Sequence, residues 1–173
     1  NSISCFGETN GSIDFIVTGG TTPYTYAWTT ADGSGLDANS KSQTGLGAGT
    51  YSVTVTDSTD CTKSIDYTIT QPNELQMAFD DSISSAINCF GDNGTLKVDI
   101  SQESTAPYTY LLEGTELVSG NAVSQSLTNQ TELTQTYDTL KAGTYTVKII
   151  DANGCEKITS AKTLTEPTAG LSI

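Results

Sequence analysis

The sequence has no histidine and no arginine among its 173 residues. Histidine is the usual base beside a catalytic serine or cysteine, so the common nucleophile–base pairs are excluded. Seven lysines stand against 20 carboxylates, for a net charge of −13. A nucleic-acid-binding face would need a basic stripe, which this balance excludes. No apolar run reaches membrane-spanning length. We therefore predict no enzymatic activity, no nucleic-acid partner and no direct membrane insertion.

Five short blocks occur twice in the same order. They begin at Cys5, Pro23, Leu46, Asp57 and Thr70 in the first copy and at Cys89, Pro107, Leu140, Asp151 and Thr165 in the second. The offset grows from 84 residues at the first block to 94 or 95 at the last three, so the second copy carries about ten additional residues between Tyr110 and Leu140. Such an array indicates reach or avidity rather than a single active site.

The repeat boundaries predict three segments. Residues 1–72 form the first repeat, residues 73–167 the second, and residues 168–173 begin a third. The segment 73–88 supplies the first strand of the second repeat, whereas the matching strand of the first is mostly missing because only four residues precede Cys5. The chain is therefore expected to be a fragment of a longer polypeptide. The proline at each junction predicts a semi-rigid connection.

Nearly the whole chain has the pattern of β-strands. Thirty threonines and eight tyrosines favour strand over helix. Tyr51, Val53 and Val55 alternate with polar residues, and turn signals such as Asn10-Gly11 and Asn153-Gly154 separate the alternating runs. Short alternating strands with frequent turns predict an all-β fold, with each repeat an immunoglobulin-like antiparallel β-sandwich.

The four cysteines predict one disulfide in each repeat. Four cysteines allow three connectivities, and one pair at matching positions of each copy favours Cys5–Cys61 and Cys89–Cys155. Closing a loop of that length stabilises a small domain by roughly 4 kcal/mol in the chain-entropy model. Zinc is disfavoured, since CxxC spacing and histidine are absent. Disulfides indicate an oxidising compartment, hence a secreted or cell-surface protein.

A tyrosine corner is predicted in each repeat. Leu46 and Leu140 are each followed by a small-residue turn and then by Tyr51 or Tyr145, which leads an alternating strand. This arrangement resembles the corner of immunoglobulin-like sandwiches, where the tyrosine hydroxyl bonds upstream backbone. The role predicted for Tyr51 and Tyr145 is architectural.

Two binding sites remain open as alternatives. Asp57, Asp60 and Asp151 lie in acidic loops that could offer oxygen ligands to calcium. Asp57 and Asp151 would equally form Asx-type turn bonds. Tyr24, Tyr26 and Trp28 could stack on a sugar, but strict alternation places all three on one side of a strand, which is normally the core side.

The order CFG, xNG, PYxY, LxAGxYxVxVxD, C and xxP resembles the SprB repeat of very large surface adhesins of gliding bacteria. Its carriers in the first copy are Cys5, Phe6, Gly7, Asn10, Gly11, Pro23, Tyr24, Tyr26, Trp28, Leu46, Ala48, Gly49, Tyr51, Val53, Val55, Asp57, Cys61, Gln71 and Pro72. The second copy departs at Leu112, where the tryptophan would fall, and the first at Thr59-Asp60, which replaces Asn-Gly.

The resemblance implies a non-catalytic repeat segment of a filamentous cell-surface adhesin. Such proteins are exported by type IX secretion, displayed on the outer membrane and moved by the gliding machinery. The implied roles are an extended stalk and attachment to polysaccharide or a solid substratum, with neighbouring repeats as partners. No cofactor is predicted, and calcium at the acidic loops stays an open alternative. The alternative is a carbohydrate-binding module of a secreted polysaccharide-processing protein.

Overall fold

The computed structural model describes residues 1–82, 86–102 and 104–170. These residues form thirteen β-strands and no α-helix, and every strand pairing among them is antiparallel. The predicted all-β antiparallel fold is confirmed. The chain divides into two compact units, Asn1–Pro72 (unit 1) and Asn73–Ile173 (unit 2). No helix in the described part of the chain is long and apolar enough to cross a membrane.

Unit 1 contains five strands in two sheets. They are β1 (Gly11–Ile13), β2 (Thr25–Thr30), β3 (Gln43–Leu46), β4 (Gly49–Thr56) and β5 (Thr62–Ile69). One sheet pairs β1 with β3, and the other has the order β2-β4-β5. Their inner faces share one core, whose buried members are Ile3, Ile13, Trp28, Leu46, Tyr51, Val53 and Ile69.

Unit 2 contains eight strands. They are β6 (Gln76–Phe79), β7 (Gly94–Gln102), β8 (Tyr108–Glu116), β9 (Ala122–Gln130), β10 (Thr134–Leu140), β11 (Gly143–Ile150), β12 (Glu156–Ile158) and β13 (Lys162–Leu164). One sheet has the order β10-β7-β6, and the other has the order β9-β8-β11-β12, with β13 also paired to β11.

Alternation along the strands produces the two-faced sheets. In β11, Tyr145, Val147 and Ile149 are fully buried, while the residues between them are exposed or half-buried. Because successive side chains of a strand point to opposite faces, this spacing supplies one apolar face for the core. Each such side chain contributes roughly 1.5–3 kcal/mol when it leaves water.

The repeated sequence blocks occupy corresponding strands in the two units. The block at Leu46 leads into β4 and the block at Leu140 leads into β11. In the described residues, β12 and β13 together correspond to β5, and two further strands of unit 2 have no counterpart in unit 1. They are β6, from the segment before Cys89, and β9, which lies within the region of the roughly ten additional residues and pairs with β8.

The predicted within-repeat disulfides are wrong. Cys61 and Cys89 are free and exposed thiols, so neither Cys5–Cys61 nor Cys89–Cys155 is formed. In unit 1, Cys61 directly precedes β5, while Cys5 lies beside the far end of that strand, where Ile3 N–H donates to Thr70 O at 2.9 Å. The eight residues of β5 span roughly 24 Å, far beyond the 7 Å or so that a disulfide bridges between Cα atoms.

Unit 2 separates its cysteines in the same way. Cys155 directly precedes Glu156, which pairs with Ile150 at one end of β11. Cys89 follows Ile87, whose N–H donates to Thr165 O at 3.1 Å, beyond the opposite end of β11. The sequence spacing suggested a closed loop, but a full strand length separates the two positions. Of the predicted third repeat, residues 171–173 lie outside the described residues.

Candidate functional site

Each unit contains a tyrosine that is anchored to the backbone four residues upstream. In unit 1 the Tyr51 hydroxyl donates to Gly47 O at 2.8 Å, and in unit 2 the Tyr145 hydroxyl donates to Lys141 O at 2.8 Å. Both rings are fully buried, and burial raises the pKa of Tyr145. This is the hydrogen bond that pins a tyrosine corner.

The corner of unit 1 is more elaborate. Ser34 N–H donates to the Tyr51 hydroxyl at 3.0 Å, and the hydroxyl also lies 2.8 Å from Ser34 O. Gly49 takes a φ of +151°, and a Cβ there would lie 2.6 Å from the Cα of Gly33. Only glycine fits a position that is both strained for L-residues and crowded by backbone.

Asp57 holds the β4–β5 turn of unit 1 together. Its carboxylate accepts hydrogen bonds from Thr21 N–H at 2.9 Å, from Thr59 N–H and hydroxyl at 2.8 Å, and from Cys61 N–H at 3.0 Å. These donors, with Thr21 N–H foremost, lower the pKa of Asp57 to about 2. The ionised carboxylate is the form that accepts all of them.

Asp151 repeats this arrangement in unit 2. Its carboxylate accepts from Asn153 N–H and Cys155 N–H, each at 2.8 Å, and from the Ser104 hydroxyl. Asp151 is 5% exposed. Both aspartates thus make the Asx-type turn bonds that the sequence offered as the alternative to metal binding.

Asp60 completes the turn of unit 1 by its backbone. Its φ is +63° and its N–H donates to Asp57 O at 3.1 Å. The corresponding residue of unit 2 is Gly154, with φ +84° and a bond to Asp151 O at 3.0 Å. Within the described residues, no group of three or more acidic, cysteine or histidine side chains is placed to hold a metal ion. Calcium binding stays a prediction.

The aromatic residues of β2 differ in their surroundings. Trp28 is 3% exposed, and its indole N–H donates to Ser40 O at 2.7 Å. Its ring lies 5.9 Å from Phe15 and 6.2 Å from Tyr67, centroid to centroid. Trp28 is therefore a core residue, in agreement with the core placement favoured by its alternation. Tyr24 and Tyr26 are half-buried.

Unit 1 has an open groove along one side. It encloses about 660 Å³ between residues 15–20 on one wall and the residues before and within β5 on the other. Tyr24, Val55 and Asp57 also line it. A cavity of this size lies within the range of small-ligand pockets. We call it the unit 1 groove. From the sequence, the first strand of this repeat was expected to be mostly missing, but the groove itself was not predicted.

Comparisons with known proteins bear on the first repeat most directly. Residues 1–33 match the SprB repeat family model. No curated protein matches the chain. Among solved structures, a chain described as "Biofilm associated protein - BSP domain" is similar at 15% identity, with a TM-score of 0.34. That similarity covers 95% of this chain but 28% of the neighbour, so the chain spans little more than a quarter of that protein.

The match confirms the resemblance carried by the Cys5-Phe6-Gly7 and Pro23-Tyr24 blocks, both of which lie within the matched residues.

Proposed function

We propose that the chain is a spacer segment in the stalk of a filamentous cell-surface adhesin used in gliding motility. The observation that carries the proposal is the SprB-repeat match at residues 1–33, in a sequence that repeats its blocks in a second copy. The proposal includes type IX export, display on the outer membrane and movement by the gliding machinery through the parent protein.

The path of the chain through unit 2 supports a mechanical role. The chain begins this unit near Glu74. The Glu74 carboxylate lies 2.8 Å from Nζ of Lys157, which is a residue of β12. It leaves near Glu166, beyond the opposite end of β11. Tension applied at these two points pulls along β6 and β13, so their ladder hydrogen bonds are loaded together rather than one at a time.

The corner tyrosines would reinforce each unit against this tension. Tyr51 and Tyr145 tie the start of a central strand to the turn before it. Each hydrogen bond contributes about 0.5–1.5 kcal/mol net, and loss of one partner leaves a buried polar group that costs more.

The alternative carbohydrate-binding role lacks a favourable observation in β2. A sugar platform needs aromatic faces open to solvent, whereas Trp28 is 3% exposed and packs against Phe15. Tyr24, just before β2, and Tyr26 and Trp28 within it therefore do not present a common stacking surface.

Single-molecule force spectroscopy tests the mechanical proposal. The intact chain, in reducing buffer, is pulled between two marker domains. Units of 72 and 101 residues should each unfold in one discrete event. At about 3.5 Å per residue the length gains are roughly 250 Å and 350 Å. A chain that extends smoothly, without discrete events, would contradict a force-bearing role.

A glycan panel separates the spacer from the carbohydrate-binding module. The oxidised chain is screened against polysaccharides with and without calcium. The proposal expects no saturable binding. Saturable binding to one glycan class would mean that these repeats are themselves the adhesive part of the protein. Calcium dependence of that binding would favour a calcium site at the Asp57 loop.

A further inference from the structure

The unit 1 groove lies where unit 2 has a strand. In unit 2, β6 pairs antiparallel with β7 in the register Met77↔Ile100, Ala78↔Asp99 and Phe79↔Val98. Gly11 pairs with Leu46 as Gly94 pairs with Leu140, so the offset here is 83 residues and residues 15–19 of unit 1 take the positions of residues 98–102. Residues 15–20 form one wall of the groove. The groove is therefore the counterpart of the site that β6 fills.

Corresponding side chains of the two units differ in their burial beside this site. With β6 in place, Val98 is fully buried and Ile100 is 7% exposed. Their counterparts Phe15 and Val17 are only half-buried. The strand itself contributes the buried Leu75, with Met77 and Phe79 packed on the core. Unit 1 thus leaves apolar surface in its groove that unit 2 covers with apolar side chains.

The backbone of unit 1 has hydrogen-bonding groups on the same side. In β7, Lys97 O accepts from Asp80 N–H at 2.8 Å, whereas Ile100 N–H turns the other way and donates to Leu133 O at 2.7 Å. By alternation, Lys97 and Asp99 direct their backbone groups toward β6. Their counterparts in unit 1 are Asp14 and Ile16. Residues 14–18 belong to no strand, although β7 continues through the matching positions.

The charges of the groove fit the same strand. At the start of the β6 segment, Glu74 pairs with Lys157 at 2.8 Å. The counterpart of Lys157 is Lys63, which lines the unit 1 groove. A strand that entered the groove in the register of β6 would bring a carboxylate to Lys63.

We propose that the unit 1 groove is an acceptor site for an extended peptide strand of the β6 type, supplied by a further repeat of the same kind. The strand adds antiparallel to residues 15–18, inserts alternate apolar side chains into the core and places an acidic residue on Lys63. This is strand addition to an open sheet edge, in which the backbone supplies affinity and alternate side chains supply specificity. The inference does not depend on the proposed function.

A synthetic peptide with the sequence of residues 73–81, NELQMAFDD, provides the probe. It is added in excess to the intact chain, whose unit 2 serves as the internal control because β6 already fills its site. We expect amide exchange of Ile16 and Thr18, which alternate toward the groove, to slow at least tenfold, with residues 98–101 unchanged. Trp28 is the only tryptophan and lies in unit 1, so its emission follows the thermal unfolding of that unit. Peptide should raise this midpoint.

Matched variants identify the contacts. A peptide with aspartate in place of both Met77 and Phe79 should give no protection, because both side chains would meet the core. In the chain, Ile16→Pro removes the amide that the added strand needs and should abolish protection, whereas Ile16→Ala retains it. Trp28 emission shows that both variants are folded. Lys63→Gln should weaken binding by at most about fivefold, as expected for an exposed ion pair.

A fused strand removes the limit of peptide affinity. Residues 73–84 are placed directly before Asn1, which reproduces the spacing of unit 2 because Ile3 corresponds to Ile87. Fusion raises the effective concentration of the strand to the millimolar range or above. Ile16 and Thr18 should then reach the protection of their counterparts Asp99 and Ser101. Unchanged exchange in the fused chain would overturn the proposal.

Discussion

Unit 1 and unit 2 carry the same blocks of sequence, yet corresponding residues have different structures. Residues 14–18 alternate as a strand should, with Phe15 and Val17 on the inner side, but form none. Their counterparts in unit 2 form the middle of β7, with β6 on one side and β10 on the other. Alternation suits a segment to be a strand, but the strand forms only where a neighbouring strand pairs with it.

The two units also differ in one residue of the turn between β4 and β5 in unit 1 and between β11 and β12 in unit 2. Asp57 and Asp151 hold their turns with the same backbone bonds, although one turn has Thr59-Asp60 and the other Asn153-Gly154. The left-handed position is Asp60 in one unit and Gly154 in the other. Aspartate tolerates this conformation better than most residues but less well than glycine. The turn is therefore set by the carboxylate, and the residue in the left-handed position adjusts its stability.

The largest effect should come from truncating the covered strand. Ile100→Ala should lower the free energy of unfolding of unit 2 by about 2–5 kcal/mol, because Ile100 is 7% exposed under β6. Val17→Ala in unit 1 should cost less than about 1 kcal/mol, since that side chain is already half in water. Urea denaturation checks both, with Trp28 emission for unit 1 and far-ultraviolet circular dichroism for the whole chain.

A pair of control positions sharpens this test. Leu96 and its counterpart Ile13 are 0% and 5% exposed, away from the difference between the units. Truncating either to alanine should cost about 2–5 kcal/mol. Equal losses at positions 17 and 100 would mean that the missing strand has no energetic consequence.

The corner tyrosines should differ by a smaller amount. Tyr51→Phe should cost about 1–3 kcal/mol, because it removes the acceptor of Ser34 N–H along with the bond to Gly47 O. Tyr145→Phe removes the bond to Lys141 O and should cost about 0.5–1.5 kcal/mol. Thermal unfolding of each variant measures the difference. A larger loss at Tyr145 would argue against this account of the corners.

Exchanging the left-handed turn residues should have a reciprocal effect. Asp60→Gly should stabilise unit 1 and Gly154→Asp should destabilise unit 2, each by at most about 1 kcal/mol. A Cβ at Gly154 would meet nothing within 4 Å, so backbone conformation alone decides the cost. Shifts of the same sign in the two exchanges would exclude this explanation.

The free cysteines should have the smallest effect. Cys61→Ser and Cys89→Ser should each change stability by less than about 0.5 kcal/mol, because both side chains are exposed and neither forms a disulfide. Alkylation before reduction, followed by peptide mapping, should label Cys61 and Cys89. A peptide that links Cys5 to Cys61 would restore the pairing inferred from sequence.

The sequence was sufficient for the fold class and for several individual roles. Alternation predicted the core position of Trp28, and the Leu-turn-Tyr block predicted a hydroxyl-to-backbone bond of the kind that Tyr51 and Tyr145 make. These features depend on neighbours close in sequence. The β9 strand carried no comparable signal, since most of its residues are exposed and it forms by pairing with the edge of β8.

The disulfide pairing predicted from the sequence was wrong for a physical reason. Matching positions in two repeats identify equivalent cysteines but say nothing about distance, and Cys5 and Cys61 lie at opposite ends of β5. The groove likewise depends on long-range packing, because the pattern of Phe15 and Val17 does not reveal whether a strand lies beside them.

The most direct test of the comparison between the units is amide hydrogen exchange on the intact, unmodified chain. The account predicts that residues 98–101 exchange slowly, because their strand lies between β6 and β10. Residues 15–18 should exchange close to the rate of an open chain while Trp28 emission shows that unit 1 is folded. Equal protection of the two segments would contradict the claim that the units differ by a strand that pairs with residues 98–101 and has no equivalent beside residues 15–18.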